Sequence, residues 1–101
     1  MQELKDKVAL ITGGGYGIGK EIALLYARQG VKIALAARSE GPLNETRAAV
    51  ETLGASALAI RADVSKEADC ASMVEQTVEA FGRVDIPVSY THLTLPTIYS
   101  V

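Results

Sequence analysis

Cysteine is almost absent from this sequence. Cys70 is the only one, so the chain can form neither an internal disulfide nor a cysteine-based metal cluster. Clusters of positive charge are absent as well: ten basic residues stand against twelve acidic ones, and the net charge of −2 argues against a nucleic-acid or anionic-membrane partner. No apolar run is long enough to cross a bilayer and no secretory leader opens the chain, so we expect a cytoplasmic protein.

The remaining composition is that of a small globular protein. With 101 residues, 49% of them apolar and 22% charged, the chain suffices for one domain at most. Cys70 falls within a predicted amphipathic helix, where a small core residue is a better interpretation than a nucleophile.

A glycine-rich turn at residues 12–19, set between an apolar strand and an amphipathic helix, organises the sequence. Gly13 lets the chain turn sharply, and Gly19 lets the helix approach the strand. Gly15 and Gly17 keep side chains away from a diphosphate, which the N–H groups and dipole at the helix start attract. The turn is therefore predicted to bind a nucleotide. The alternative is a loop that only packs a strand on a helix.

Apolar strands and amphipathic helices alternate along the chain. Strands are predicted at 7–12, 31–36 and 57–60 with a fourth beginning at 84, and helices at 20–29, 42–53 and 66–81. The apolar faces are predicted to comprise Ile18, Ile22, Leu25 and Tyr26 in the first helix, and Leu43, Ala49, Val50 and Leu53 in the second. Ser65 is expected to cap the third helix, in which Cys70 faces the core. The alternation predicts an α/β protein with a parallel sheet and helices on both faces.

The turn has the spacing Thr-Gly, three residues, Gly, one residue, Gly, and it resembles that of the short-chain dehydrogenase/reductase family over about residues 5–86. The resemblance implies a partial doubly wound, Rossmann-type sheet with strands in the order 3-2-1-4. It also implies an oxidoreductase that transfers hydride between an alcohol and a ketone, with a nicotinamide dinucleotide, and a full-length protein that is a homo-oligomer. The residues it assigns to the cofactor are Gly13, Gly15, Tyr16, Gly17, Ile18, Gly19, Arg38, Ser39, Asp63 and Val64.

The end of the second strand bears on the choice between NAD and NADP. A carboxylate there accepts hydrogen bonds from the ribose hydroxyls and repels a 2′-phosphate. This chain instead has Ala37 followed by Arg38 and Ser39, and a guanidinium pairs well with phosphate. We therefore expect NADP(H) rather than NAD(H). Glu40 lies close by and offers the alternative of a ribose contact.

Asp63 and Val64 follow the third strand directly. The resemblance places them at the adenine, with the carboxylate accepting from the exocyclic amine and the next backbone N–H contacting the ring. The alternative is an ordinary loop aspartate that caps the following helix.

The resemblance stops abruptly after Ile86, where the family continues with an apolar residue or two and then Asn-Asn-Ala-Gly, and this chain has Pro87. A proline inside a buried strand removes a donor from the ladder. Residues 88–97 resemble the conceptual translation of a transposon-end sequencing adapter, so we expect residues 1–86 to form the domain and 87–101 to be a non-native tail. The alternative is a divergent C-terminus that pairs residues 88–95 as a strand. His92 is not a catalytic candidate on either interpretation.

Catalytic residues are not assigned. The family uses a serine, and a tyrosine followed four residues later by a lysine, on elements beyond the fourth strand, so the resemblance implies a chain truncated before its catalytic residues and inactive as it stands. Tyr16 and Lys20 have the same spacing but lie in the phosphate turn, away from the nicotinamide. A non-catalytic dinucleotide-binding module is the second hypothesis. A flavodoxin-like protein is disfavoured, because its phosphate loop would be richer in Ser and Thr.

Overall fold

The computed structural model of the chain describes residues 4–13 and 17–89. Strands and helices alternate strictly, as predicted. In chain order the elements are β1 (Val8–Thr12), α1 (Gly17–Arg28), β2 (Lys32–Ala37), α2 (Glu40–Thr52), β3 (Ala57–Arg61), α3 (Glu67–Phe81) and β4 (Ile86–Ser89).

The four strands form one parallel sheet in the order β3-β2-β1-β4, which confirms the predicted order. Because successive side chains of a strand point to opposite faces, β1 contributes to two cores. Ala9 and Ile11 pack in the core that α1 and α2 cover, and Leu10 packs in the core that α3 covers. All five residues of β1 are buried, as its apolar sequence requires between two helical layers.

The face that α1 turns to the sheet differs from the predicted one. Ala23 and Ala27 are buried on it, one helical turn apart and in register with buried Gly19. Leu25 was predicted to be on this face but is 57% exposed, because it lies two residues from Ala23 and so on the opposite side of the helix. Small residues let α1 pack close to the strands, so the larger Ile22 is only half-buried at the margin.

Helix α2 buries most of its predicted apolar face, but one assignment on that face is wrong. Leu43 and Val50 are buried, as predicted. Leu53 is 42% exposed, because it follows the last residue of the helix and no longer continues its face. Thr46 takes a fully buried position between the two apolar residues.

Helix α3 ends as predicted, at Gly82 in a left-handed conformation with φ of 88°, and its N–H donates to the carbonyl of Val78 at 2.7 Å. Cys70 is buried in the core, as predicted. The start of α3 differs from the prediction: Lys66, not Ser65, is the N-cap residue, and no side chain caps the helix. The hydroxyl of Ser65 is instead bound by Asp63, as described below.

Strand β4 runs to Ser89, beyond the expected domain boundary after Ile86. Pro87 lies opposite Leu10 and Val88 opposite Ile11 in the parallel register. Residues 90–101, including His92, lie outside the described part of the chain, as do residues 14–16 of the glycine turn. The described helices include none with the length and apolar character needed to cross a membrane.

Candidate functional site

The carboxyl ends of β1, β2 and β3 meet at one edge of the sheet, because all three strands are parallel and adjacent. A cavity of about 300 Å³ opens there. It is lined by residues that directly follow or end the three strands: Gly13, Ala37, Arg38, Ser39, Ala62, Asp63, Val64 and Ser65. Crevices at this end of a doubly wound sheet are where such folds bind ligands.

Gly13 forms the β1 side of the cavity. Its φ of 75° lies in the left-handed region, which glycine adopts without steric cost. The Gly13 N–H donates to the carbonyl of Ala36 at 2.8 Å, so the turn is tied to the end of β2. Thr12, just before it, is fully buried, and its hydroxyl donates to the carbonyl of Val88 at 3.3 Å. The start of the turn is therefore held from both neighbouring strands, by Gly13 toward β2 and by Thr12 toward β4.

Helix α1 begins at Gly17, directly after the glycine turn. The first N–H groups of a helix have no partner within it, and they carry the positive end of its dipole. Gly17, Ile18 and Gly19 lie in this first turn. The two remaining glycine-turn assignments, Gly15 and Tyr16, fall outside the described residues.

Arg38 and Ser39 form the β2 side of the cavity. Both side chains are exposed, since they follow the buried end of β2. Ser39 is the N-cap residue of α2 by its extended backbone, but its hydroxyl makes no capping hydrogen bond. A guanidinium and a hydroxyl thus stand together at the mouth of the cavity, and both are donors suited to an anionic oxygen.

Asp63 forms the β3 side, and a local network fixes its carboxylate. Its Oδ1 accepts the Ser65 hydroxyl at 2.6 Å and the Ser65 N–H at 3.0 Å. These bonds, the hydroxyl first, hold the pKa of the Asp63 carboxyl below its ordinary value, and the positive charges of Arg38 and Lys66 add to the effect. Asp63 is therefore ionised at neutral pH. No described residue donates to its second oxygen, Oδ2, which therefore has unused acceptor capacity.

The segment after β3 is held from behind by α3. The Asp63 N–H donates to Asp69 Oδ2 at 2.8 Å, and the Cys70 thiol donates to the carbonyl of Val64 at 3.3 Å. Burial, followed by the charge of Asp69, raises the pKa of the Cys70 thiol. Cys70 is therefore a neutral thiol that positions Val64, which agrees with a core role.

The structure brings five of the predicted site residues to one cavity: Gly13, Arg38, Ser39, Asp63 and Val64. Sequence reasoning missed the parts of Ser65 and Asp69, which orient Asp63. It also missed Arg61 and Lys66, which line an adjoining cavity. The sequence did contain a signal for Arg61. Arg38 follows the second strand and Arg61 stands at the end of the third, and these two strands are predicted to be neighbours.

Comparison with known proteins places this geometry in context. The family profile described as short chain dehydrogenase matches residues 7–90. The 11-beta-hydroxysteroid dehydrogenase A of Sesamum indicum is 42% identical over 85 residues, which is 83% of this chain and 24% of that protein. The short-chain dehydrogenase/reductase homolog YusS of Bacillus subtilis (strain 168) is 40% identical over 90 residues, which is 88% of this chain and 83% of YusS.

Solved structures agree with the fold. A short-chain dehydrogenase/reductase from Burkholderia phymatum in complex with NAD has a TM-score of 0.82 and 38% identity over 86% of this chain and 31% of that one. The 3-ketoacyl-(acyl-carrier-protein) reductase from Brucella melitensis complexed with NADH has a TM-score of 0.77 and 39% identity. The match covers 83% of this chain and 33% of that one. The chain thus spans about a third of the length of each of these two related proteins.

Proposed function

The chain belongs to the short-chain dehydrogenase family, and on that premise we propose that it is the N-terminal, cofactor-binding part of an NADP(H)-dependent oxidoreductase. The longer protein would transfer hydride between an alcohol and a ketone and would be a homo-oligomer. The observation that carries the proposal is the cavity in which Gly13, Arg38 and Asp63 converge from three strand ends. Each of the three suits a different part of the dinucleotide.

The pyrophosphate would lie at Gly13 and the start of α1. The left-handed Gly13 leaves no side chain in the way, and the helix terminus supplies N–H groups that have no acceptor within the helix and can donate to the anionic oxygens. Gly15, Tyr16, Gly17, Ile18 and Gly19 complete this proposed contact surface.

The adenine would lie between Asp63 and Val64. Asp63 is ionised and has one carboxylate oxygen free of described partners, so it can accept from the exocyclic amine. The Val64 N–H would contact the ring. The alternative role of Asp63, as a cap of the following helix, has no support in the hydrogen bonds, because its bonds to Ser65 precede α3 and the helix has no side-chain cap.

NADP(H) is proposed over NAD(H) because Arg38 and Ser39 follow β2 directly, with no carboxylate at Ala37. The related structures from Burkholderia phymatum and Brucella melitensis hold NAD and NADH, so family membership leaves the cofactor open. Glu40, exposed in the first turn of α2, is the group that could instead reach a ribose hydroxyl.

The hydride-transfer step is proposed for the longer protein, with a small alcohol or carbonyl compound as substrate. Lys20, which has the family's spacing from Tyr16, lies in α1 beside the phosphate turn.

The second candidate function is that of a non-catalytic dinucleotide-binding module. It is favoured by one observation: the match to YusS covers 83% of that relative, so a family member of similar extent is known.

Equilibrium binding of NADPH and NADH to the chain and to Arg38→Asp tests the cofactor proposal, with Arg47→Asp, an exposed arginine of α2, as the matched control. We expect Arg38→Asp to weaken NADPH binding at least about tenfold and not to weaken NADH binding, because a carboxylate at this strand end repels a 2′-phosphate but accepts from ribose hydroxyls. Equal NADPH affinity in the two variants would refute the role of Arg38.

The nucleotide sequence past codon 86 separates the enzyme from the module: an unbroken frame through Asn-Asn-Ala-Gly and Ser…Tyr-x-x-x-Lys establishes the enzyme.

A further inference from the structure

A second cavity of about 440 Å³ adjoins the first at the sheet edge. The two share Arg38, Ser39, Ala62 and Asp63. The second cavity alone is lined by the side chains of Arg61, Lys66 and Asp69. The second cavity therefore lies on the side of Arg38 and Asp63 that is away from Gly13.

Arg61 is placed there by the register of the sheet. It is the last residue of β3 and lies opposite Ala37, the last residue of β2. The Ala62 N–H donates to the Ala37 carbonyl at 3.0 Å and holds the two strand ends together. Since neighbouring strands are about 4.8 Å apart, Arg61 and Arg38 start from adjacent backbone positions and reach a common cavity.

The charges at this cavity are unbalanced toward the positive. The two carboxylates, Asp63 and Asp69, accept hydrogen bonds from uncharged groups, Asp63 from Ser65 and Asp69 from the Asp63 N–H. Arg38, Arg61 and Lys66 form no close ion pair with any residue in the described part of the chain. Three cations against two carboxylates leave a net positive charge at the cavity, which favours an anionic group there.

Resting on the proposed binding of NADP(H), we propose that Arg61 is a second guanidinium for the 2′-phosphate of the adenosine ribose. The phosphate then lies between the ends of β2 and β3, with Arg38 on one side and Arg61 on the other. Each guanidinium can offer two parallel N–H donors to phosphate oxygens. Arg61 is thereby a specificity-determining residue, because NAD lacks the 2′-phosphate.

Adenosine 2′,5′-bisphosphate and adenosine 5′-monophosphate are the probes, because they differ only in the 2′-phosphate. Their dissociation constants would be measured by calorimetry for the unmodified chain, Arg61→Gln, Arg61→Lys and the control Arg47→Gln. We expect Arg61→Gln to weaken the bisphosphate about tenfold and the monophosphate by less than twofold. Arg61→Lys should recover part of the loss, and Arg47→Gln should lose nothing.

The outcomes separate this inference from the function on which it rests. If the unmodified chain prefers the bisphosphate and Arg61→Gln keeps that preference, Arg61 has no part in recognition while the NADP(H) proposal stands. If Arg47→Gln loses as much as Arg61→Gln, the effect is long-range charge and the inference is wrong. If the unmodified chain binds neither probe, the proposed function and this inference fail together.

Discussion

Val8 and Asp85 are joined by two hydrogen bonds of 2.9 Å each. The Val8 N–H donates to the Asp85 carboxylate, and the Asp85 N–H donates to the Val8 carbonyl. Arg83 completes the arrangement with an ion pair to the same carboxylate oxygen at 2.8 Å. This contact secures the start of β4 against β1, and it sets the register in which Ile86 lies opposite Ala9.

Asp85→Ala is expected to lower the free energy of unfolding by about 1–3 kcal/mol, because the buried Val8 N–H loses its acceptor. Arg83→Ala should cost less than about 1 kcal/mol, since the arginine side chain is 54% exposed and its ion pair is screened by solvent. Urea unfolding of both variants measures the difference. An equal loss of stability in the two variants would show that the ion pair, and not the hydrogen bond from the Val8 N–H, holds β4.

Thr46 and Thr77 form a matched pair for a second prediction. Both are fully buried in helices, but the Thr46 hydroxyl has no hydrogen-bond partner among the described residues, whereas the Thr77 hydroxyl donates to the Met73 carbonyl at 2.7 Å. Thr46→Val should raise the free energy of unfolding by about 1 kcal/mol, because it removes an unpaired buried polar group. Thr77→Val should not stabilise. Thermal or urea unfolding decides, and destabilisation by Thr46→Val would contradict the prediction.

Pro87 lies in β4 opposite Leu10, between Ile86 opposite Ala9 and Val88 opposite Ile11. In a parallel ladder only alternate residues donate to a given neighbour, and a proline fits where its nitrogen faces away from that neighbour. This register therefore directs the Pro87 nitrogen away from β1, toward the edge that no described strand covers. We expect Pro87→Val to lower the free energy of unfolding by roughly 0.4–1 kcal/mol, because it gains no bond to β1 and loses the restriction that the proline places on the unfolded chain.

Hydrogen exchange gives the second readout of this variant, because the amide introduced at position 87 has no described acceptor and should exchange rapidly. Pro42→Val, in the first turn of α2, is the control: helix N–H groups there have no intrahelical acceptor, so no protected amide is expected. Slow exchange at position 87 would contradict this orientation of β4.

The Asp63 carboxylate gives a pH-dependent prediction. Its hydrogen bonds from Ser65 lower the pKa, so the folded state binds this proton less tightly than the unfolded chain does. The stability it contributes is complete above the unfolded pKa and is lost as the pH falls below about 4 toward the folded value. Ser65→Ala should raise the Asp63 pKa in carboxyl NMR titrations, whereas Ser65→Thr should keep it low. An unchanged pKa in Ser65→Ala would contradict the hydroxyl as the main cause.

Local patterns along the chain were enough to predict most of the fold. Apolar runs such as residues 8–11 mark strands buried on both faces, and Gly82 marks a helix end, because each signal depends on the backbone preferences of a few consecutive residues. Strand order followed from the resemblance carried by the glycine turn. The convergence of Gly13, Arg38 and Asp63 was predictable for the same reason, since parallel strands bring their carboxyl ends to one edge.

Contacts between elements decided what the chain pattern could not. Leu25 belongs to the apolar pattern of α1 yet is exposed, because the close approach of the helix to the sheet selects Ala23 and Ala27 instead. The Ser65 hydroxyl is bound by Asp63 and so does not cap α3. Arg61 lines the same cavity as Arg38 only because the register places the ends of β2 and β3 side by side. Propensity acts between neighbours in sequence, whereas competition for one donor or one buried face is settled only when distant segments pack together.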